Sequence, residues 1–180
     1  MVNIIKQRKQ IRLKNYDYSL PGTYFVTICT FERVCLFGNI NDCKMQLNDY
    51  GHVVHDEWLK TEKLRLNVKL DEFIVMPNHI HGIIRIINDC RGTARRAPTT
   101  VEHFGKPTVG SIPTITRSFK SAVTKRINES RQTPTGHVWQ RNYYERIIRN
   151  DQELYKIKQY IWDNIKNWKH DSNNISGEIP

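Results

Sequence analysis

Long apolar stretches are absent from this sequence, and so are closely spaced cysteines. No apolar run approaches the roughly 20 residues that a membrane-spanning helix needs. The basic first residues lack the apolar core and the cleavage site of a signal peptide. The four cysteines show no C-x-x-C spacing, which favours neither a disulfide scaffold nor a zinc site. We therefore expect a cytoplasmic protein whose thiols are free.

Acidic residues are also too few to balance the basic ones. Against 28 Lys and Arg there are 18 Asp and Glu, which gives a net charge of +10 and a pI of about 9.6. A surplus of this size favours a polyanionic partner, and nucleic acid is the first candidate. The alternative is an ordinary, well-solvated basic surface. With 180 residues the chain can form one core, so we predict a single domain.

Hydrophobic periodicity predicts strands alternating with helices. Strands are expected at 22–31, in a hairpin within 35–47, at 68–76 and 79–87 (either one strand or two joined at Pro77), and at 137–149. Helices are expected at 49–63 after an Asn48 cap, at 113–129, and from Asn150 through Trp168. This order predicts an α+β fold in which helices cover one side of a largely antiparallel sheet.

The chain divides into segments of different composition. Residues 1–20 form a basic N-terminal segment, and residues 21–170 form the predicted folded domain. Residues 88–112 are rich in Thr, Gly, Pro and Arg and have no periodicity, which predicts a long basic loop that is either functional or disordered. Residues 171–180 are expected to be a disordered tail.

The segment "IVMPNHIHGIIRI", residues 74–86, places two histidines in an otherwise apolar strand. Residues two apart in a strand share a face, so His79 and His81 point one way while Ile80 points into the opposite layer. Two neutral imidazoles side by side can bind a divalent metal, although further donors are needed to complete its coordination. The alternative is a pair of half-exposed surface histidines.

The last predicted helix carries Tyr160 and Asn164 one turn apart, on the flank of its apolar stripe. The common role of such a tyrosine is amphipathic packing with the hydroxyl in water. Beside the histidines, however, the two residues suit one chemistry. A metal held by two imidazoles and an amide oxygen polarises a phosphodiester, and a tyrosine oxygen attacks the phosphorus and stays bonded to it.

Several motifs carry a resemblance to a known family. "MPNHIHGII" resembles the histidine–hydrophobe–histidine motif of single-tyrosine HUH transposases, the IS200/IS605-like group. Four further segments occur with it in the order expected for the family: "PGTYFVTICTFER", "SFKSAVTKRIN", "VWQRNYYERIIRN" and "YIWDN". Together these motifs make the chain similar to REP-associated tyrosine transposases over about residues 12–168.

The resemblance implies a ferredoxin-like core with a central antiparallel sheet and helices packed on it. It implies metal-dependent cleavage and rejoining of single-stranded, hairpin-forming palindromic DNA, through a 5′-phosphotyrosine intermediate and a free 3′-OH. In this chain Tyr160 matches the nucleophile, and His79, His81 and Asn164 match the metal ligands, for Mg²⁺ or Mn²⁺. Residues 21–170 would then be the catalytic domain. The oligomeric state, monomer or homodimer, stays open.

Other positions qualify this assignment. Ile165 stands where the family usually has proline, which predicts that the last helix continues, and Tyr143 and Tyr144 are rival nucleophiles on alternate faces of their strand. DNA contacts are expected in the 88–112 loop and at basic residues chosen for charge and place: Arg12, Lys14, Arg141, Arg146 and Arg149.

Two other functions compete with the nuclease and strand transferase. One is a hairpin or single-stranded DNA-binding protein derived from a transposase that no longer cuts. The other is a small metal hydrolase that uses His79 and His81 on a substrate other than nucleic acid. The net charge counts against the hydrolase, as does the lack of a further His, Asp or Glu at ligand spacing near the pair.

Overall fold

A four-stranded sheet organises the fold in the computed structural model, which describes residues 16–87 and 108–174. Arg12, Lys14 and most of the predicted 88–112 loop lie outside these ranges. The strands are β1 (Gly22–Cys29), β2 (Gly38–Asn41), β3 (Lys44–Leu47), β4 (Val68–Met76), β5 (His79–Ile86) and β6 (Tyr144–Ile148), and the helices are α1 (Asp49–Lys63), α2 (Ile112–Ser130) and α3 (Asp151–Asp163).

The central sheet is fully antiparallel and has the strand order β4-β5-β1-β6. Leaving out the β2-β3 hairpin, the elements from β1 to β6 follow the βαββαβ order of a ferredoxin-like fold. The predicted α+β class with a ferredoxin-like core is thus confirmed. Within the described ranges, no helix is long and apolar enough to cross a membrane.

The larger core lies between the sheet and the helices α1 and α2. From β1 it takes the even-numbered residues, among them Val26, and from β5 it takes Ile80 and Ile84. Trp58 of α1 packs so closely on β5 that a Cβ at Gly82 would stand 2.2 Å from its ring. Glycine is therefore required at position 82 by the close approach of the helix.

The opposite face of the sheet carries α3 over a smaller cluster. It consists of Phe25, Ile83, Ile148, Ile157 and Ile161, and we call it the α3 cluster. Helices thus cover both faces, whereas one covered side was expected. The odd-numbered residues of β1 and β5 include Phe25 and Ile83, which α3 covers, and Thr27 and Cys29, which stand opposite the histidines.

The helix starts agree with the predicted caps. The side chain of Asn48 accepts a hydrogen bond from Gly51 N, and that of Asn150 accepts one from Glu153 N. The end of α3 differs from the prediction, because the α-helix stops at Asp163 rather than continuing to Trp168. A turn and a short 3-10 helix, Trp168–His170, follow, and they bring the chain back over the sheet.

The strand predicted at 137–149 is shorter than expected. Only Tyr144–Ile148 pair with β1. Before it, an isolated bridge joins Trp139 to Thr30, and the Lys120 ammonium donates to the carbonyl oxygens of Gln140 and Arg141 at 2.5 and 3.2 Å. A side chain of α2 thus holds backbone oxygens that a continuous strand would have offered to its neighbour.

Candidate active site

The two histidines lie on β5 and face α3. His79 and His81 stand opposite Cys29 and Thr27 of β1, while Ile80 between them is buried in the larger core. The two-residue turn before them is fixed by its carbonyl groups, since Phe37 N donates to Pro77 O and Thr30 N donates to Asn78 O. The predicted orientation of the pair is what the structure has.

Asn78 fixes the orientation of the His79 ring. Its amide nitrogen donates to the carbonyl oxygens of Arg33 and Asn173, at 2.9 and 2.7 Å, so its Oδ1 is the atom that faces His79 Nδ1 at 2.8 Å. An amide oxygen only accepts, and Nδ1 of His79 must therefore carry the proton. The lone pair of this ring consequently lies on Nε2.

His81 presents the same ring atom to the same point. Its Nδ1 lies 2.8 Å from the Thr27 hydroxyl oxygen, and its Nε2 lies 3.0 Å from Nε2 of His79. Such outer contacts orient imidazoles at metal centres. Both side chains are buried, so two ring nitrogens converge inside the protein rather than at a solvated surface.

Tyr160 and Asn164 of the α3 region reach this point from the other side. The Tyr160 hydroxyl oxygen lies 3.2 Å from His81 Nε2, although the residue remains 47% exposed. Asn164 is only 2% exposed, and its buried Oδ1 has no hydrogen-bond partner among the described residues. The structure therefore brings together all four residues that the sequence analysis selected, and leaves one oxygen acceptor there unsatisfied.

Asp171 is a member of the site that the sequence analysis missed. Its Oδ2 lies 3.9 Å from His79 Nε2, and it forms a group of candidate metal ligands with His79 and His81. The sequence shows no acidic residue at ligand spacing near the histidines, and the fold supplies one from a distant position. No spacing in the sequence links residue 171 to the pair.

Backbone contacts hold this part of the chain in place. Arg33 donates to Ser172 O at 2.6 Å, and Asn78 donates to Asn173 O. Residues 171–174, which the sequence analysis assigned to a disordered tail, thus lie against the site in a defined conformation. These contacts use main-chain oxygens, which leave no trace in the side-chain pattern.

The electrostatics of the site keep both imidazoles neutral at pH 7. Burial lowers the pKa of His79 to about 4, although the nearby Asp171 carboxylate opposes this shift. Burial, and next to it the proximity of His79, lowers the pKa of His81 well below its ordinary value. Burial raises the pKa of Tyr160, as does Asp171, whereas a hydrogen bond from the Asn164 amide lowers it. Both imidazoles are thus uncharged, and the Tyr160 phenol keeps its proton at this pH.

The donors fit a divalent cation. Two neutral Nε2 atoms converge, the Asn164 oxygen is buried without a partner, and one carboxylate lies within reach. Imidazole, amide and carboxylate donors suit a divalent ion of the Mg²⁺ or Mn²⁺ type that also binds oxygen atoms of a substrate. The residue set is therefore compatible with the implied metal.

A cavity of about 600 Å³ opens beside Tyr160 and His81. Tyr144, which pairs with Thr27, faces it from β6, whereas Tyr143 packs toward the larger core. Of the rival tyrosines, Tyr144 is therefore the one on the histidine face, whereas it is Tyr160 whose hydroxyl contacts His81 Nε2.

The predicted DNA-binding arginines within the described ranges lie in different places. Arg146 lines the cavity and is paired with Glu153 of α3. Arg141 lines a second cavity, beside α2. Arg149 is exposed just before α3, where its backbone N–H donates to Glu153. Their contact with DNA stays a prediction.

Comparison with known proteins identifies relatives along nearly the whole chain. An uncharacterised protein of Haemophilus influenzae is 41% identical over 172 residues, which cover 93% of either chain. A second protein of that organism, named as a candidate REP-associated tyrosine transposase, is 23% identical over 171 residues and is matched over 85% of its length. No family model matches the chain.

The fold has a solved counterpart. The structure of a REP-associated tyrosine transposase bound to a REP hairpin superposes with a TM-score of 0.56 at 18% identity, over 88% of this chain and 72% of that one. At this identity the likeness establishes the fold alone. Taken with the motifs and the relatives, it completes a consistent assignment: the chain belongs to the family of REP-associated tyrosine transposases.

Proposed function

We propose that this protein is a metal-dependent endonuclease and strand transferase that acts on single-stranded, hairpin-forming DNA through a covalent 5′-phosphotyrosine intermediate. The observation that carries the proposal is the contact of the Tyr160 hydroxyl with Nε2 of His81, which itself lies 3.0 Å from Nε2 of His79. A tyrosine that only packs against the sheet would keep its hydroxyl in water, whereas Tyr160 directs its oxygen at a buried pair of neutral imidazoles.

In the proposed reaction the Tyr160 oxygen forms a bond to phosphorus as the bond between phosphorus and the 3′ oxygen breaks. The phenol loses its proton, and the departing 3′ oxygen gains one to become a free hydroxyl. One phosphodiester is thus exchanged for another, which keeps the bond available for rejoining when a 3′-hydroxyl attacks the phosphotyrosine.

His79, His81 and Asn164 would hold the ion, with Asp171 as a fourth donor. A bound Mg²⁺ or Mn²⁺ would polarise the phosphodiester and stabilise the charge that develops on its oxygens. Asn78 and Thr27 keep the two Nε2 atoms directed at this point, and the Asn164 amide favours the ionised form of Tyr160.

The substrate class rests on charge and on the relatives. A net charge of +10 suits a polyanion. The solved structure with this fold holds a REP hairpin, which supports a palindromic, hairpin-forming substrate for this chain too. The second candidate function, a hairpin-binding protein that no longer cuts, is less well supported, because the residues proposed for the reaction (His79, His81, Tyr160 and Asn164) are all present.

The test is covalent capture. The protein is incubated with Mn²⁺ and end-labelled single-stranded hairpin DNA from the flanks of its own gene, and the mixture is separated by denaturing gel electrophoresis. We expect a protein–DNA adduct that disappears in Tyr160→Phe and persists in Tyr155→Phe, a change to an exposed tyrosine on the same helix.

Each other outcome has a definite meaning. An adduct that survives Tyr160→Phe would refute the nucleophile, and Tyr144 would be examined next. Hairpin binding without an adduct, in Mn²⁺ and in Mg²⁺, would favour the non-cutting binding protein. An adduct that forms equally well with a chelator would refute the metal requirement.

A further inference from the structure

We infer that the cavity beside Tyr160 is a subsite for one nucleotide of the single strand, next to the scissile phosphate, with its base stacked on Tyr144 and its phosphate paired with Lys156. This inference rests on the proposed function and assigns a task to residues that the proposed reaction does not use.

The cavity is continuous with the reacting groups. It lies between β1, β6 and α3, and Tyr160 and His81 form part of its wall. Its volume of about 600 Å³ is within the range of roughly 300–1,000 Å³ that is typical of small-ligand pockets. A strand whose phosphate sits at the Tyr160 oxygen must therefore place a neighbouring nucleotide in or across it.

One wall of the cavity offers an aromatic surface. Tyr144 is 46% exposed, and Phe25 supports its ring edge-to-face, with centroids 6.4 Å apart. Tyr144 also stands directly across from Thr27, the residue that holds His81. A ring that is half exposed yet held in place beside a strand-cleaving site is suited to stack on an unpaired base.

The charge of the cavity is one-sided. No Asp or Glu occurs among the described residues that line it, whereas Arg33, Arg146 and Lys156 do. Arg146 is neutralised by Glu153, and Arg33 is bound to Ser172 O. Lys156 has no ion-pair partner within the described ranges, and it lies one turn before Tyr160 on α3. Arg33 keeps its charge but is held by the carbonyl, so Lys156 is the cation of this lining that can turn toward a phosphate next to the attacked one.

This subsite gives a physical reason for acting on single strands. A base can stack on Tyr144 only when it has left the base stack of a duplex, and leaving the stack costs free energy. An unpaired segment does not incur this unstacking cost. The stem of a hairpin would therefore lie outside the cavity, and the cut would fall in an unpaired flank.

The test uses binding in EDTA, where no cleavage occurs. Affinity for fluorescein-labelled dT12 is measured by anisotropy at several salt concentrations. We expect Tyr144→Ala to weaken binding roughly tenfold, while Tyr144→Phe retains it because the ring is kept. Lys156→Gln should reduce the slope of log K against log salt by about 0.7, the value for one phosphate contact in a single strand.

Matched controls separate these effects from general loss of ring or charge. Tyr155→Ala removes a tyrosine that is 62% exposed but does not line the cavity, and Lys63→Gln removes an exposed lysine at the end of α1, on the other side of the sheet. Both should bind dT12 with the wild-type affinity and salt slope. Thymidine 3′,5′-bisphosphate should shift the NMR signals of Tyr144 and Lys156 and leave those of Tyr155 and Lys63 in place.

The results distinguish this subsite from the proposed reaction. Variants of Tyr144 and Lys156 that behave like the controls would overturn the subsite, and so would a wild-type protein that does not bind dT12. If the expected binding pattern is found but covalent capture yields no adduct, the cavity stands as a nucleotide-binding subsite and the result favours the non-cutting binding protein.

Discussion

Asn78 offers a sharp test of how the site is built, because it is fully buried and joins three parts of it. Its amide makes hydrogen bonds to Arg33 O, to Asn173 O and to His79 Nδ1. At a net value of about 1 kcal/mol each, Asn78→Ala should lower the free energy of unfolding by about 3 kcal/mol. The His79 ring would also lose the contact that fixes its tautomer.

The metal site should weaken together with the fold. Removing the outer hydrogen bond of a metal-binding histidine weakens metal affinity by roughly 10- to 100-fold. The assay is EPR titration of Mn²⁺ on protein kept below its unfolding transition, beside urea unfolding. Asn41→Ala, which removes an exposed asparagine bonded to Gln46, is the control and should change neither quantity appreciably.

A second variant separates tautomer control from stability. In Asn78→Asp a carboxylate still accepts from His79 Nδ1, but it cannot donate to the two carbonyl groups. We expect Mn²⁺ affinity near that of the wild type and a stability loss larger than that of Asn78→Ala, because a buried carboxylate oxygen would face two carbonyl oxygens. A folded Asn78→Ala protein with unchanged Mn²⁺ affinity would refute the positioning argument, and a wild type without Mn²⁺ affinity would refute the metal site itself.

Three further outcomes are expected. His79→Ala and His81→Ala should each abolish adduct formation, while hairpin affinity, measured by anisotropy, falls little. Cleavage by either variant would refute the metal-site proposal. Gly82→Ala should cost about 1–3 kcal/mol in urea unfolding because its Cβ meets Trp58, whereas Gly22→Ala, with its nearest contact at 3.4 Å, should cost less. Burial alone would raise the pKa of Glu57, but hydrogen bonds from Lys60 and Arg126 lower this pKa below its ordinary value. The ionised Glu57 carboxylate therefore stabilises the folded protein at neutral pH, and this contribution is lost as the pH falls through the lowered pKa. Thermal unfolding of Glu57→Gln should therefore depend less on pH on the acidic side, and an unchanged dependence would contradict this.

The parts of the site that repeat with the period of a strand or helix could be predicted from the sequence. His79 and His81 alternate with apolar residues, which fixes their common face once β5 is recognised. Tyr160 and Asn164 follow from the helical repeat after the Asn150 cap. In each case the apolar neighbours had to be buried, and the polar residues were directed accordingly.

What could not be predicted depends on contacts with backbone groups. Asp171 reaches the site because Arg33 and Asn78 bind the carbonyl oxygens of the residues that follow it. The early part of the segment 137–149 alternates like a strand, but Lys120 binds its carbonyl groups. In both cases the accepting groups are backbone carbonyl oxygens, which every residue has. The side-chain pattern of the accepting segment therefore could not predict either interaction.

The small size of the α3 cluster has a consequence for how the protein responds to heat. α1 and α2 share a core that includes Trp58, Phe119 and Trp139, whereas α3 is held by five apolar residues and by polar contacts such as Lys158 with Asp71. The free energy needed to release an element scales with what it buries, and partial openings of this kind precede complete unfolding. Amide hydrogens of α3 should therefore exchange with solvent faster than those of β5. On warming, the helix that bears Tyr160 should detach while the histidines remain in an intact sheet, and the proposed adduct formation should disappear before the fold does.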